Sequence, residues 1–186
     1  MTAAGRPLEK VDPRIGEVYL TADDIQSRVR ELGAGIAADY EGREPILVAS
    51  LKTAIVFLTD LSRALPIVHN LDFLALAPYE GNGGGGRRVR LLKDLGMSIK
   101  GRDVLLVEDV VDTGMTLNFL VKTLALREPR SLAAVALLDR PYRRLVEDLP
   151  VSYVGFTVPD EFFVGYGFDM DGRWRNLPDL RLVNPS

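Results

Sequence analysis

Apolar residues along this chain fall into two rhythms that alternate with each other. Short, mostly apolar runs occupy 46–50, 71–77, 104–107, 131–138 and 151–156. Runs of that length read as strands buried in a sheet. Between them the apolar positions recur at helical spacing: Ile25, Val29, Leu32 and Ile36, then Ala54, Phe57, Leu58, Leu61 and Leu65, then Leu117, Leu120, Val121 and Leu124. Thr21 with Asp24 three residues on marks the start of the first helix, which is expected to end near Gly42. Strands alternating with helices predict an α/β fold, a mainly parallel sheet flanked by helices on both faces.

The remaining stretches carry no such rhythm. Residues 1–18 are expected to be loosely ordered. Gly83 to Gly86 form a run that holds no defined structure unaided, and 87–92 read as the returning half of a hairpin. Residues 162–169, aromatic and glycine-rich, resemble a site wall more than a sheet interior.

Composition narrows the class. The chain has 186 residues, which predicts one domain over 1–186, and 47% of them are hydrophobic, enough for a core. A formal charge of −3 leaves no basic surplus for nucleic acid. There are no cysteines, so a disulfide scaffold and a thiolate zinc site are both excluded. The one histidine, His69, has no second histidine to share a metal and reads as a surface or strand-end residue. Residues 1–20 lack the apolar segment of a signal peptide, and the longest apolar run, 132–138, is far short of a membrane span. No membrane partner and a cytoplasmic location are expected.

The chemistry concentrates between the strand at 104–107 and the helix that begins at Leu117. Glu108, Asp109 and Asp112 stand in this loop with Thr113, Gly114, Met115 and Thr116. Ionised carboxylates only accept hydrogen bonds, so Glu108 and Asp109 suit the hydroxyls of a vicinal sugar diol. The Thr113–Thr116 turn opens a helix, where free amide N–H groups and the helix dipole favour a phosphate. Gly114 can adopt a backbone conformation closed to other residues. Diol acceptors beside a phosphate cradle describe a pocket for a ribose 5-phosphate, and Asp112 falls between the two. A lone Asp-Thr-Gly also occurs in aspartic proteases, but those need two carboxylates sharing a proton, and a following helix does not suit an all-β fold.

The run Glu108-Asp109-Val110-Val111-Asp112-Thr113-Gly114 resembles the phosphoribosyl-diphosphate-binding motif of type I phosphoribosyltransferases, and is most similar to the hypoxanthine-guanine branch. The resemblance extends over about 21–182. It implies the type I phosphoribosyltransferase fold, with a small hood formed from the chain ends. It also implies roles for individual residues: Asp112 as catalytic base and part of the phosphate cradle, Glu108 and Asp109 on the ribose, Lys52, Thr53 and Arg175 on pyrophosphate, and Asp169 on Mg²⁺. Arg140, Phe162 and Phe163 would hold the purine, and Arg144 matches a further basic position. Trp174 is expected only to pack. Tyr79 would open a flexible lid over about 79–90.

Three positions depart from the family pattern. Lys52-Thr53 stands where Lys-Gly is usual, at a loop whose Leu51–Lys52 bond is implied to be cis. Arg140 replaces a common lysine, and Pro78-Tyr79 replaces Ser-Tyr. The activity implied is transfer of a phosphoribosyl group from phosphoribosyl diphosphate to hypoxanthine or guanine by a homodimer or homotetramer. The alternatives are a non-catalytic sensor of the same fold, or an enzyme for xanthine or another base.

Overall fold

A computed structural model describes residues 12–79 and 88–184. Among them a six-stranded sheet is built from β2 (Ile46–Leu51), β3 (Asn70–Tyr79), β4 (Arg88–Lys93), β5 (Asp103–Val111), β6 (Ser131–Asp139) and β7 (Val151–Thr157). Its order is β4-β3-β2-β5-β6-β7. Only the β3–β4 hairpin is antiparallel; every other neighbour is parallel. Three helices, α1 (Ala22–Asp39), α2 (Ile55–Ala64) and α3 (Met115–Ala125), cover it. None of the described helices is long and apolar enough to cross a membrane.

The period of two along the strands sorts the core into two layers. Leu47, Ala49, Leu105, Val107, Val135 and Leu137 pack with Ile25, Val29 and Ile36 of α1 and with Phe57, Leu58 and Leu61 of α2. Ile46, Val48, Val104, Leu106, Ala134 and Ala136 pack with Leu117, Leu120 and Leu124 of α3. Both faces of the central strands are therefore buried, as their unbroken apolar runs require. Thr21 caps α1 reciprocally with Asp24: the Asp24 amide donates to Thr21 Oγ1 at 3.1 Å, and the Thr21 amide to Asp24 Oδ2 at 3.2 Å. The helix ends at Asp39, a turn earlier than Gly42.

The chain ends make a second, antiparallel sheet, β1 (Ile15–Leu20), β9 (Leu180–Val183) and β8 (Phe163–Val164), in the order β1-β9-β8. This is the hood. It corrects the expectation of loose order through residue 18: the segment from Ile15 is a strand, and Ile15 is fully buried. Nothing local marks it, because its partner strand lies at the other end of the chain. Residues 1–11 lie outside the described residues. So do 80–87, the glycine run and most of the expected lid. The lid's flanks are corrected as well, since Tyr79 pairs with Arg88 and 88–90 belong to β4.

Helices α1 and α2 meet at Gly33, where an added Cβ would press on the Ala64 carbonyl oxygen. Alanine is the better helix former by about 1 kcal/mol. Even so, Gly33→Ala is expected to lower stability by about 1–3 kcal/mol in urea unfolding, because overpacking outweighs propensity here. A gain in stability would show that the two helices separate freely.

Candidate active site

Strand order reverses between β2 and β5, which sends the chain outward in opposite directions. The crevice beyond their carboxyl ends is where open α/β sheets bind ligands. The Lys52–Ala54 turn leaves β2 there, and the Asp112–Gly114 turn leaves β5.

β5 is longer than its apolar run predicts. Glu108, Val110 and Val111 pair with Ala136, Leu138 and Asp139 of β6. Glu108 and Asp109 are thus strand residues and not the start of a loop, and as neighbours on a strand they take opposite faces. Glu108 lines a small pocket with Asp112, Thr113, Gly114 and Thr116. Its side chain is buried at 5% exposure and Oε1 has no partner. Burial, reinforced by the nearby Asp109 charge, pushes its carboxyl up to about 8. In the free protein burial thus favours the protonated form of Glu108. Asp109 is pushed up to about 6 by burial, opposed by the amides of Asp109 and Val110 and by the charge of Arg175.

Gly114 has φ +81° and caps α3, with Leu149 behind it; an added Cβ would meet Leu149 Cδ1 at 2.6 Å. The first bond of the helix runs from the Asn118 amide to the Gly114 carbonyl. The preceding amides of the first turn therefore have no carbonyl within the helix; that of Met115 donates to Thr113 Oγ1 at 3.4 Å, and a helix start of this kind favours an anion. Met115 and Thr116 are exposed there. Asp112 is half-buried and pairs with Arg143 Nε at 3.2 Å, without hydrogen-bond geometry. Arg143 also donates to Asp160 Oδ1 at 3.0 Å, so it links the β5–α3 turn to the segment before β8. Sequence reading missed Arg143. The only signal was its place in the basic pair that follows Arg140-Pro141. Arg144, expected to be a further site cation, is turned to Asp139 behind Gly114.

Lys52 is exposed, and the Leu51–Lys52 peptide is cis. Arg175 is tied three ways: Nη1 donates to Thr53 Oγ1 at 3.0 Å and to the Gly167 carbonyl at 2.7 Å, and Nη2 pairs with Asp169 Oδ1 at 2.6 Å. The other Asp169 oxygen accepts from the Gly172 amide at 2.8 Å. Thr53, Asp169 and Arg175, distant in sequence, thus form one cluster. Trp174 is half-buried beside it.

On the other side, Arg140 is 8% exposed. Its Nη2 donates to the Glu161 carbonyl, its guanidinium lies 5.5 Å from the Phe163 ring centre, and its Nε is buried without a partner. Phe162, just ahead of β8, and Phe163, its first residue, have different surroundings. Phe162 is 74% exposed, a free aromatic face, whereas Phe163 is buried against Tyr19 with ring centres 4.9 Å apart. Among the described residues no group of three or more His, Asp or Glu side chains forms a ready-made metal cage.

An acid-lined pocket opens on a helix N-terminus at the switch point of a parallel sheet, the arrangement expected of a phosphoribosyl transferase domain. A family model of the phosphoribosyl transferase domain matches residues 18–171, and the chain belongs to that family. The hypoxanthine-guanine phosphoribosyltransferase of Mycobacterium avium is 42% identical over 97% of this chain and 91% of its own length. The bifunctional protein TilS/HprT of Listeria monocytogenes is 41% identical over 96% of this chain, which spans only 27% of that relative. A hypoxanthine phosphoribosyltransferase structure from Staphylococcus aureus superposes with a TM-score of 0.88 at 38% identity and covers 97% of each chain.

The raised carboxyls set a pH dependence. Between the ordinary carboxylate value and about 8, the folded protein holds a proton on Glu108 that the unfolded chain releases. Stability therefore falls as pH rises through that window and levels off above about 8. Glu108→Gln is expected to flatten this slope in urea unfolding followed from pH 5 to 9, and an unchanged slope would assign it to other groups.

Proposed function

We propose that this protein transfers a 5-phosphoribosyl group from phosphoribosyl diphosphate to N9 of a 6-oxopurine, hypoxanthine or guanine. The observation that carries this reading is the buried, unpartnered Glu108 Oε1 in the pocket that also takes in the Thr113–Thr116 turn. A buried polar atom without a partner is costly unless a ligand satisfies it. A sugar hydroxyl there would leave the sugar's phosphate to the amides of α3. The names carried by the relatives support the same substrates.

Glu108 fixes the ribose from the pocket and Asp109 from the other face at the end of β5, and Thr113, Gly114, Met115 and Thr116 hold its phosphate, so orientation contributes to the rate. The purine stacks on the exposed face of Phe162. The unpartnered Arg140 Nε donates to the oxygen at C6, which favours a 6-oxopurine over the amino group of adenine. The bond from the ribose carbon to pyrophosphate breaks with its electron pair leaving on oxygen, and a bond to N9 forms. Asp112 accepts the proton from N7 of the base. Lys52 and Arg175 stabilise the charge gathering on pyrophosphate.

Mg²⁺ fits the donor set at Asp169. The carboxylate is a hard oxygen ligand in an accessible position, and Mg²⁺ commonly takes one or two carboxylates and completes its shell with water and substrate oxygens. When bound, it supplies positive charge against the diphosphate.

The direct test is a pyrophosphate-release assay with Mg²⁺, phosphoribosyl diphosphate and hypoxanthine, guanine, xanthine or adenine in turn. Turnover is expected with the first two; silence with every base would sink the reading. Asp112→Asn is expected to reduce kcat by about 10²–10⁴-fold with phosphoribosyl diphosphate binding retained, and undiminished turnover would remove Asp112 as the base. Arg140→Ala is expected to raise KM for the 6-oxopurine by about tenfold or more, with a smaller change for phosphoribosyl diphosphate. An equal loss of both would move Arg140 away from the base.

A further inference from the structure

The departure at Thr53 has a structural counterpart. Where the family commonly has glycine, this chain has a hydroxyl, and that hydroxyl accepts from the guanidinium of Arg175 at 3.0 Å. The sequence reading put Thr53 itself on pyrophosphate. In the structure its oxygen accepts from another residue of the site, the Arg175 guanidinium.

The anchors of Arg175 differ in kind. Asp169 carries a charge that offsets that of the guanidinium, and it is also the carboxylate suited to a cation. The Thr53 hydroxyl and the Gly167 carbonyl are neutral. They orient the guanidinium without cancelling its charge, and neither involves the Asp169 carboxylate. Arginine has five N–H donors in a rigid fork. With Nη1 directed to Thr53 and Gly167, the plane of the fork is set while donors remain on its other edges. An arginine held in this way loses less freedom on binding an anion than a loose one.

We propose that Thr53 is a positioning residue whose hydroxyl keeps Arg175 aimed at the pyrophosphate group across the turn that leaves β2. This rests on the phosphoribosyltransferase reading above and adds to it a residue-level cause for phosphate affinity.

The test compares Thr53→Val, which keeps the shape and removes the hydroxyl, with Thr53→Ser, which keeps the hydroxyl. Pyrophosphate binding is measured by calorimetry in Mg²⁺ buffer, beside KM for phosphoribosyl diphosphate and for the purine. Thr53→Val is expected to weaken pyrophosphate binding and raise KM for phosphoribosyl diphosphate by about five- to tenfold, the scale of one ordinary hydrogen bond. KM for the purine should stay within about twofold, and Thr53→Ser should restore the wild-type values. In an Arg175→Gln background, Thr53→Val should bring no further loss, because its effect passes through the arginine. Wild-type pyrophosphate affinity in Thr53→Val overturns the proposal. So does a loss in Thr53→Ser equal to that in Thr53→Val, or an additive double variant. Thermal melts of each variant separate a folding defect from a binding one. If the wild-type protein turned over no base, the functional reading would fail, while pyrophosphate calorimetry would still decide the role of Thr53.

Discussion

Parallel pairing of β2 with β5 is the constraint on which the site depends. From β2 the chain moves outward to β3 and β4; from β5 it moves the other way, to β6 and β7. Helices α2 and α3 therefore fall on opposite faces, and the turns that lead into them part above the sheet. The register runs from Ile46 opposite Val104 to Ala49 opposite Val107. Continued past the last pair, it sets the end of β2 level with the acids of β5. A charge anchored at Thr53, that of Arg175, consequently acts on Asp109.

The free protein meets the charge in this crevice in two ways. Most of its ions are paired among themselves: Arg175 with Asp169, Arg143 with Asp112, Arg144 with Asp139. Partly exposed pairs of this kind add little to stability. What they give the site is placement, since each long cation is held at one location before a substrate arrives. Glu108 has no such partner, and burial favours its protonated form instead. Substrate binding must then exchange partners on one side of the crevice and satisfy an orphaned oxygen on the other.

Much of this was legible before any coordinates. The helical faces of α1, α2 and α3 and the apolar runs of the central strands follow from local spacing, and the capping pair of Thr21 and Asp24 needs only four consecutive residues. The motif from Glu108 to Thr116 was readable because its parts are contiguous. β1 was not, since a short strand with exposed polar positions has no apolar period and is stabilised by β9 at the far end of the chain. The extension of β5 was hidden for a related reason: acids inside a strand look like a loop until a neighbouring strand pairs with them.

The sequence by itself determined the elements, their layering and which kinds of residue carry the chemistry, because period and motif are properties of neighbours along the chain. Tertiary structure alone decided which of those charges are paired, which are buried and which hydroxyl serves which cation. Thr53 and Arg175 lie 122 residues apart yet share a hydrogen bond. Desolvation and pairing depend on what surrounds a group in space, and no local pattern encodes that.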